Sequence, residues 1–266
     1  MGAEQAAPQL TVVIAACNEA RNIADCVRSA AFADEILVLD SGSTDGTRTL
    51  AEAAGARVIV TDWPGYGPQQ NRAIDAARGD WIYSLDADER ITPALAQEIR
   101  RVISEGGPTH YDVPRRSLFV RRFLRHSGWW PDRTRRLFKR GTARFTTHEI
   151  HANLQGDGPV GHLRAAMTHY SYRDLASVLE KMNRYSSGSA RDLHARGKRG
   201  TLGSAIGHGL WAFLRTYVIK LGFLDGAEGF MVAVVNAETS YYKYLKLREI
   251  GRAGQALIDE PGAHGN

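Results

Sequence analysis

Four short apolar runs, each followed by a helix-forming segment, leave the first third of this chain little choice of architecture. Leu10 to Ala16 is nearly all apolar and reads as a buried parallel strand. A helix follows Asn18-Glu19-Ala20 and runs to about Ala31. Glu35 to Asp40 is a second buried strand that ends in an acid, and Ser41 through Thr47 is a tight turn with several candidate N-caps. The next helix runs to Ala54, where Gly55 stops it. Arg57 to Thr61 is a third strand, Gly65-Tyr66-Gly67-Pro68 a turn, and about Gln69 to Ala77 a helix. Asp80 to Leu85 is the fourth strand. The β-α-β-α-β-α-β pattern predicts a parallel sheet with helices on both faces.

Ligands of such sheets bind at the carboxyl ends of the strands. Two strands end there in acids, Asp40 and Asp86. Residues i and i+2 of an extended chain point the same way, so Asp86 and Asp88 can face one spot. Two carboxylates there repel unless a cation lies between them, and a hard divalent ion, Mg²⁺ or Mn²⁺, suits oxygen ligands and a diphosphate. The alternative is a solvated acidic turn ahead of a helix that Thr92 caps and Pro93 opens. Asp40 suits a ribose or base edge, or is a turn residue before Ser41-Gly42; Asp45 reads as a helix cap. The turn after the first strand, Ala15-Ala16-Cys17-Asn18-Glu19-Ala20, has no glycine, and no Walker lysine occurs, which disfavours nicotinamide and P-loop chemistry. The formal charge of +5 favours an anionic partner. Two cysteines without C-x-x-C spacing suit a reducing compartment. No signal peptide and no spanning helix are expected from the hydropathy pattern.

Val12-Val13-Ile14 with Asn18-Glu19, then Glu35 through Thr47, then Gly79-Asp80-Trp81 through Asp86-Ala87-Asp88-Glu89, resemble glycosyltransferase family 2 in order and spacing. The resemblance implies a GT-A fold: an α/β, Rossmann-like nucleotide-sugar-binding sheet flanked by helices, here with a C-terminal helical extension. It implies a nucleotide-sugar donor and Mg²⁺ or Mn²⁺ as cofactor. Asp62-Trp63 with Gly65-Tyr66-Gly67 looks like the lipopolysaccharide-core branch, which includes β-1,4-glucosyltransferases. Carried over by position, Ala15, Ala16 and Glu19 would border the uridine and Asp40 would hold uracil or ribose. Asp86, Ala87 and Asp88 would meet the diphosphate, with Asp86 and Asp88 on the metal. Gln70 stands where many relatives carry Arg or Lys; Arg72 is the nearest cation and is expected to help.

The resemblance spans residues 10 to about 172, giving a catalytic domain over 1–172. Its nucleotide-sugar half is about 10–105 and its acceptor half about 106–172. Tyr111 to Phe123 and Arg135 to Lys139 read as strands. Between residues 115 and 144 lie eleven Lys or Arg, Arg136 among them, and one acid, Asp132. Arginine forks match phosphate, so this stretch suits the donor diphosphate, an acidic acceptor or anionic lipid. No nucleic-acid fold signature accompanies it. Trp129-Trp130 is either core or a sugar-stacking platform.

An inverting transferase needs a base on the acceptor hydroxyl. In the family an acid follows the Arg-Leu-Phe strand at about the distance of Glu149, which is the expected base, with Asp132 second. His148 would orient Glu149 or reach the metal or diphosphate. His148 and His151 do not have the His-Glu-x-x-His order of a zinc site. His162 and His169 read as ordinary polar or core residues.

Residues 173–250 read as helices, and 251–266 as a loose end. Tyr241-Tyr242-Lys243-Tyr244-Leu245-Lys246 suits an anionic membrane surface. The expectation is therefore an inverting, metal-dependent transferase on the inner face of the cytoplasmic membrane. It would move a sugar, glucose from UDP-glucose first among candidates, to a saccharide or glycolipid acceptor of an envelope glycan. The alternative is a nucleotide-sugar-binding protein without turnover.

Overall fold

The computed structural model describes residues 9–146 and 153–259. The chain forms two compact units: one takes the chain up to Ser117 and Pro131–Ser171, the other Leu118–Trp130 and everything from Tyr172 onward. The segment 118–130, read from sequence as acceptor half, thus belongs to the helical unit.

The first unit begins β1 (Leu10–Ala16), α1 (Ile23–Ser29), β2 (Glu35–Asp40), α2 (Thr47–Ala53), β3 (Arg57–Val60), α3 (Tyr66–Ala76) and β4 (Trp81–Asp86). The strands lie in the order β3-β2-β1-β4, all parallel. Alternate residues of β1 enter opposite cores, as a strand buried on both faces must. Val12 and Ile14 pack with Ile23, Val27, Leu95 and Ile99, and Val13 packs with Leu37, Leu39, Ala73 and Ile74. Each fully buried aliphatic side chain contributes roughly 1.5–3 kcal/mol over its exposed state. Gly79 is needed where the chain enters β4: its N–H donates to Thr11 Oγ1 at 2.8 Å, and a Cβ would lie 2.7 Å from the Thr11 nitrogen. Helix α3 starts at Tyr66, earlier than expected. Gly65 at φ +107° turns the chain, and Pro68 fits a first turn whose N–H groups have no helical partner anyway.

Beyond β4 come β5 (Glu89–Arg90), α4 (Pro93–Glu105), β6 (His110–Phe119), β7 (Arg122–Phe123), β8 (Asp132–Lys139), β9 (Ala143–Phe145), β10 (Leu154–Gly156), β11 (Val160–His162) and β12 (Met167–Tyr172). Thr92 caps α4 by accepting from Leu95 N–H, and Pro93 opens it, as the sequence indicates. Strand β8 adds to β4 antiparallel, and the sheet continues β8-β6-β12-β5. The antiparallel pairing of β12 with β5 sets His169 opposite Glu89.

The second unit is mostly helical. Asp174 caps α5 (Leu175–Ala195), and Thr201 with Ser204 forms a capping box on α6 (Leu202–Leu214). The chain continues as a π turn over Arg215–Ile219 and a 3₁₀ turn over Gly222–Asp225 into α7 (Gly226–Asp259). Helix α7 thus takes in residues 251–259, which read from sequence as part of a loose end. Phe119, Leu124, Val178 and Val232 form a core. Trp129 packs edge-on to Phe119 at 5.7 Å and beside Tyr172 at 5.8 Å, whereas Trp130 is partly exposed. Lys246, expected at lipid, is instead held by α5: its Nζ donates to Asn183 Oδ1 at 2.6 Å and to Ser186 and Ser187 Oγ at 2.8 Å. Among the described residues no helix is long and apolar enough to cross a membrane.

Candidate active site

Register alone gathers several of the residues singled out in the sequence. Ala16 at the end of β1 pairs with Asp40 on one side, and Ala15 pairs with Asp86 on the other. The turn beyond β1 lacks glycine but is braced by side chains. Asn18 takes φ +55°, a left-handed conformation that Asn tolerates. Its N–H donates to Ser43 Oγ at 2.9 Å, Glu19 N–H donates to Thr47 Oγ1 at 2.8 Å, and Thr44 N–H donates to Asn18 Oδ1 at 2.9 Å. Asp45 accepts from the N–H groups of Ala20 at 3.1 Å and Thr47 at 3.0 Å and so braces the turn; the N-cap of α2 is Gly46 and not Asp45, the residue read from sequence as the cap. The Glu19 carboxylate accepts from Asn22 Nδ2 at 2.7 Å.

Asp40 is fully buried. One oxygen, Oδ1, accepts from Ser43 N–H at 2.9 Å, Gly42 N–H at 3.2 Å and Arg48 Nε at 2.7 Å. The other, Oδ2, has no partner among the described residues. Burial pushes the carboxyl up, but the bonds from Ser43 and Arg48 outweigh it and hold it below the usual carboxylate range. An ionised acceptor with a buried, unpartnered oxygen at a strand's end suits a ligand N–H or hydroxyl.

Asp86 and Asp88, two residues apart, have different surroundings. Asp86 accepts from the Tyr66 hydroxyl at 2.6 Å and pairs with Arg136, which also donates to Glu89 Oε1 at 2.6 Å. Glu89 is fully buried and accepts from Asp86 N–H at 3.1 Å, while Arg115 approaches it at 3.4 Å. Burial raises Asp86, yet Arg136 and Tyr66 prevail and its carboxyl sits low. Burial also raises Glu89, Arg136 opposes, and the charge of Asp86 pushes it further up, leaving it above the usual range. Burial and Asp86 likewise raise the Tyr66 hydroxyl, which keeps it a donor. Arg136 is only 5% exposed, so it meets the site through the carboxylates it holds and not as an open phosphate ligand.

Asp88 faces His169 instead: its Oδ2 lies 3.3 Å from Nε2, and the other ring nitrogen is 3.1 Å from Ser117 Oγ. Tyr170 N–H donates to the Asp88 carbonyl at 2.9 Å, which pins this contact to β12, while Ala87 is buried between the two acids. With a proton on Nε2 His169 donates to Asp88; with the proton on Nδ1, against Ser117 Oγ, it would free the Nε2 lone pair for an ion shared with Asp88, as hydrogen bonding at the other nitrogen does for metal-binding histidines. His169 had read as an ordinary residue; only the β12–β5 register brings it here.

Of the remaining residues singled out, the structure describes Gln70, Arg72 and Asp132. Gln70 is fully buried under Ser84, whose hydroxyl donates to Gln70 Oε1 at 3.2 Å, and Gln70 Nε2 has no partner. Arg72 is engaged by Asp62 at 2.6 Å. Asp132 is gripped by Arg115 through Nε at 2.8 Å and Nη2 at 2.6 Å. Glu149 and His148 lie outside the described residues. The basic stretch draws its acids from elsewhere in the sequence: Arg135 pairs with Asp112, Arg136 with Asp86 and Glu89, and Arg144 with Asp75.

Among the described residues no group of three or more His, Cys, Asp or Glu encloses a metal position. Asp88 with His169 nevertheless fits a divalent ion of the kind that takes one or two protein ligands and completes its shell with substrate phosphates and water.

Comparison with known proteins gives the family of the chain. The profile described as glycosyl transferase family 2 matches residues 11–157. An uncharacterised glycosyltransferase of Rickettsia felis is 30% identical over 254 residues, 91% of this chain and 90% of that one. The lipopolysaccharide core biosynthesis glycosyltransferase LpsC of Rhizobium meliloti is 28% identical over 251 residues, 90% of this chain and 91% of its own. Among solved structures, glucosyl-3-phosphoglycerate synthase of Mycobacterium tuberculosis with Mn²⁺, UDP and glucosyl-3-phosphoglycerate is 28% identical. That match covers 41% of this chain and 44% of that one, with a TM-score of 0.37.

Proposed function

The chain belongs to glycosyl transferase family 2 and has its GT-A fold, and from that premise we propose an inverting, metal-assisted sugar transfer from a UDP-sugar, with UDP-glucose the first candidate donor. The observation that carries this is the Asp88–His169 pair, 3.3 Å apart just beyond the tip of β4, with the unpartnered oxygen of Asp40 at the tip of β2 and β1 between the two strands. Asp40 would accept from the nucleoside. Asp88 and His169 would hold Mg²⁺ or Mn²⁺, which when bound offsets the charge developing on the departing diphosphate. Asp86 would orient that end of the site through Tyr66 and Arg136. Glu149 is the proposed base on the acceptor hydroxyl, and Asp132 the second choice.

The acceptor we propose is a saccharide of a lipid-linked envelope glycan, in line with the relative named for lipopolysaccharide core biosynthesis. Such an acceptor implies peripheral attachment at the inner face of the cytoplasmic membrane. The test is UDP release from a panel of nucleotide sugars, with and without Mn²⁺ or Mg²⁺, for the wild type and Asp88→Asn. Release that needs the metal and falls roughly 10²–10³-fold in the variant is expected. No release from any donor, or equal release without metal, would refute the proposal; UDP uptake without turnover would favour the binding-protein alternative.

A further inference from the structure

Helix α6 is packed inside out. The residues it buries are small: Ala205 and Gly209, with Ala212 half-buried and Thr216 buried just past its end. At Gly209 a Cβ would stand 3.3 Å from the Ala237 carbonyl oxygen and from Tyr241 Cβ, so α7 passes close here. The large apolar side chains point away. Leu202, Ile206, Leu210, Leu214 and Val218 recur every four residues, each between 47% and 63% exposed, with Trp211 beside them at 54%. Leu221, Phe223 and Leu224 extend this surface through the following turn. Phe230 of α7 joins it through ring contacts with Phe213 at 5.8 Å and Tyr217 at 5.6 Å.

A helix facing water hides its large apolar side chains, and contiguous exposed apolar patches are rare on soluble monomers. Small residues in the seam and large apolar ones outside is the arrangement of helices that face lipid. The charges agree. From Leu193 to Leu224 the sequence has five Lys or Arg and no Asp or Glu. The next acid, Asp225, is buried and accepts from the N–H groups of Arg125 and His126; Glu228 follows in the first turn of α7. At the start of α6 a cavity of ≈ 540 Å³ is lined by Lys198, Arg199, Arg248 and Arg252, with no acid in its wall. With the π turn that continues it, α6 reaches from Leu202 to Ile219, about 25 Å against the ~30 Å of a bilayer's hydrocarbon core, and no described helix is long and apolar enough to cross. This stretch can lie along an interface.

We propose that α6 and the turn through Leu224 are a membrane-docking face. The apolar row lies at the headgroup–acyl boundary of an anionic bilayer, and the flanking cations meet lipid phosphates. The proposal deepens the peripheral attachment proposed above, and it stands or falls apart from the donor chemistry, which UDP release in lipid-free solution reads separately.

The test is flotation of the full-length protein with vesicles of phosphatidylcholine alone or mixed with phosphatidylglycerol. The wild type is expected to float with the anionic vesicles, and Leu210→Glu with Leu214→Glu to lower partitioning at least about tenfold. A second measurement does not depend on that variant folding: lipids brominated in the acyl chain are expected to quench wild-type tryptophan fluorescence, and Trp211→Phe to abolish most of the quenching. Flotation unchanged in the double variant, or no quenching in the wild type, would overturn the proposal. So would a lipid-free dimer in analytical ultracentrifugation that the double variant dissociates, since the face would then belong to a second copy of the chain.

Discussion

The tip of β4 and the outer face of α6 depart from ordinary partitioning in opposite directions. At β4 charge is inside: Glu89 is 0% and Arg136 5% exposed. On α6 hydrocarbon is outside, with Leu210 63% exposed. The departures differ in how they are compensated. Each buried charge at β4 finds an opposite charge within the same unit, although Arg136 Nε keeps no hydrogen-bond partner among the described residues. Among the described residues Asp40 Oδ2 and Gln70 Nε2 stay unpartnered near the strand ends, and Asp88 with His169 is the pair proposed for the metal. Among the described residues nothing covers the apolar face of α6, and the partner we propose for it is an extended apolar phase. A site that binds a small polar molecule can be nearly self-sufficient; a surface that docks on lipid cannot.

The largest expected effect breaks the first half of that contrast. Arg136→Met leaves Asp86 and Glu89 buried without their shared cation, which should cost about 3–5 kcal/mol of stability. Urea unfolding reads it as a lower midpoint at unchanged slope. Adding Asp86→Asn and Glu89→Gln should restore much of the loss, because neutral amides need no counter-charge. A loss below about 1 kcal/mol would mean that water reaches the carboxylates, and the cluster would then be no more self-contained than an ordinary surface pair.

The parts legible in the sequence were those with a local period or a strand-end position. The order β3-β2-β1-β4 follows from four apolar runs alternating with helices, and Asp40 and Asp86 were found because each closes a strand. Thr92-Pro93 marked its helix start because capping involves neighbouring residues. The residues missed work across the chain. His169 meets Asp88 only because β12 pairs with β5. Arg136 looked like a phosphate ligand because its stretch holds one acid, whereas its acids come from β4 and β5. The spacing of the apolar residues on α6 was visible, but not the face they occupy. Periodicity marks a stripe without saying whether protein, water or lipid lies against it.

Acid titration is the next test, smaller in effect. Asp40 and Asp86 sit below their ordinary values in the folded chain. Their contribution is therefore present above the unfolded value of about 3.9 and is lost as pH falls through the folded values. Glu89 runs the other way. Its folded value is raised, so it favours folding below about 4.3 and that share is lost as pH rises through the folded value. Asp40→Asn should therefore flatten the acid limb: the drop in urea midpoint between about pH 6 and about pH 3 shrinks relative to the wild type. An unchanged drop would show that Arg48 and the Ser43 N–H do not hold Asp40 as a charge.

The smallest effect sharpens the second half of the contrast. Lys246 lies on α7 among aromatic residues, where sequence alone suggests lipid contact. Its Nζ is instead occupied by Asn183, Ser186 and Ser187, and burial, then Arg191, lowers its pKa. Lys246→Ala removes a tie between two helices of one unit. A loss of about 0.5–1.5 kcal/mol is expected, with flotation on anionic vesicles unchanged. If Lys246→Ala instead reduced flotation as much as Leu210→Glu with Leu214→Glu does, lipid would be read by the lysines of α7. The inside-out packing of α6 would then need another partner.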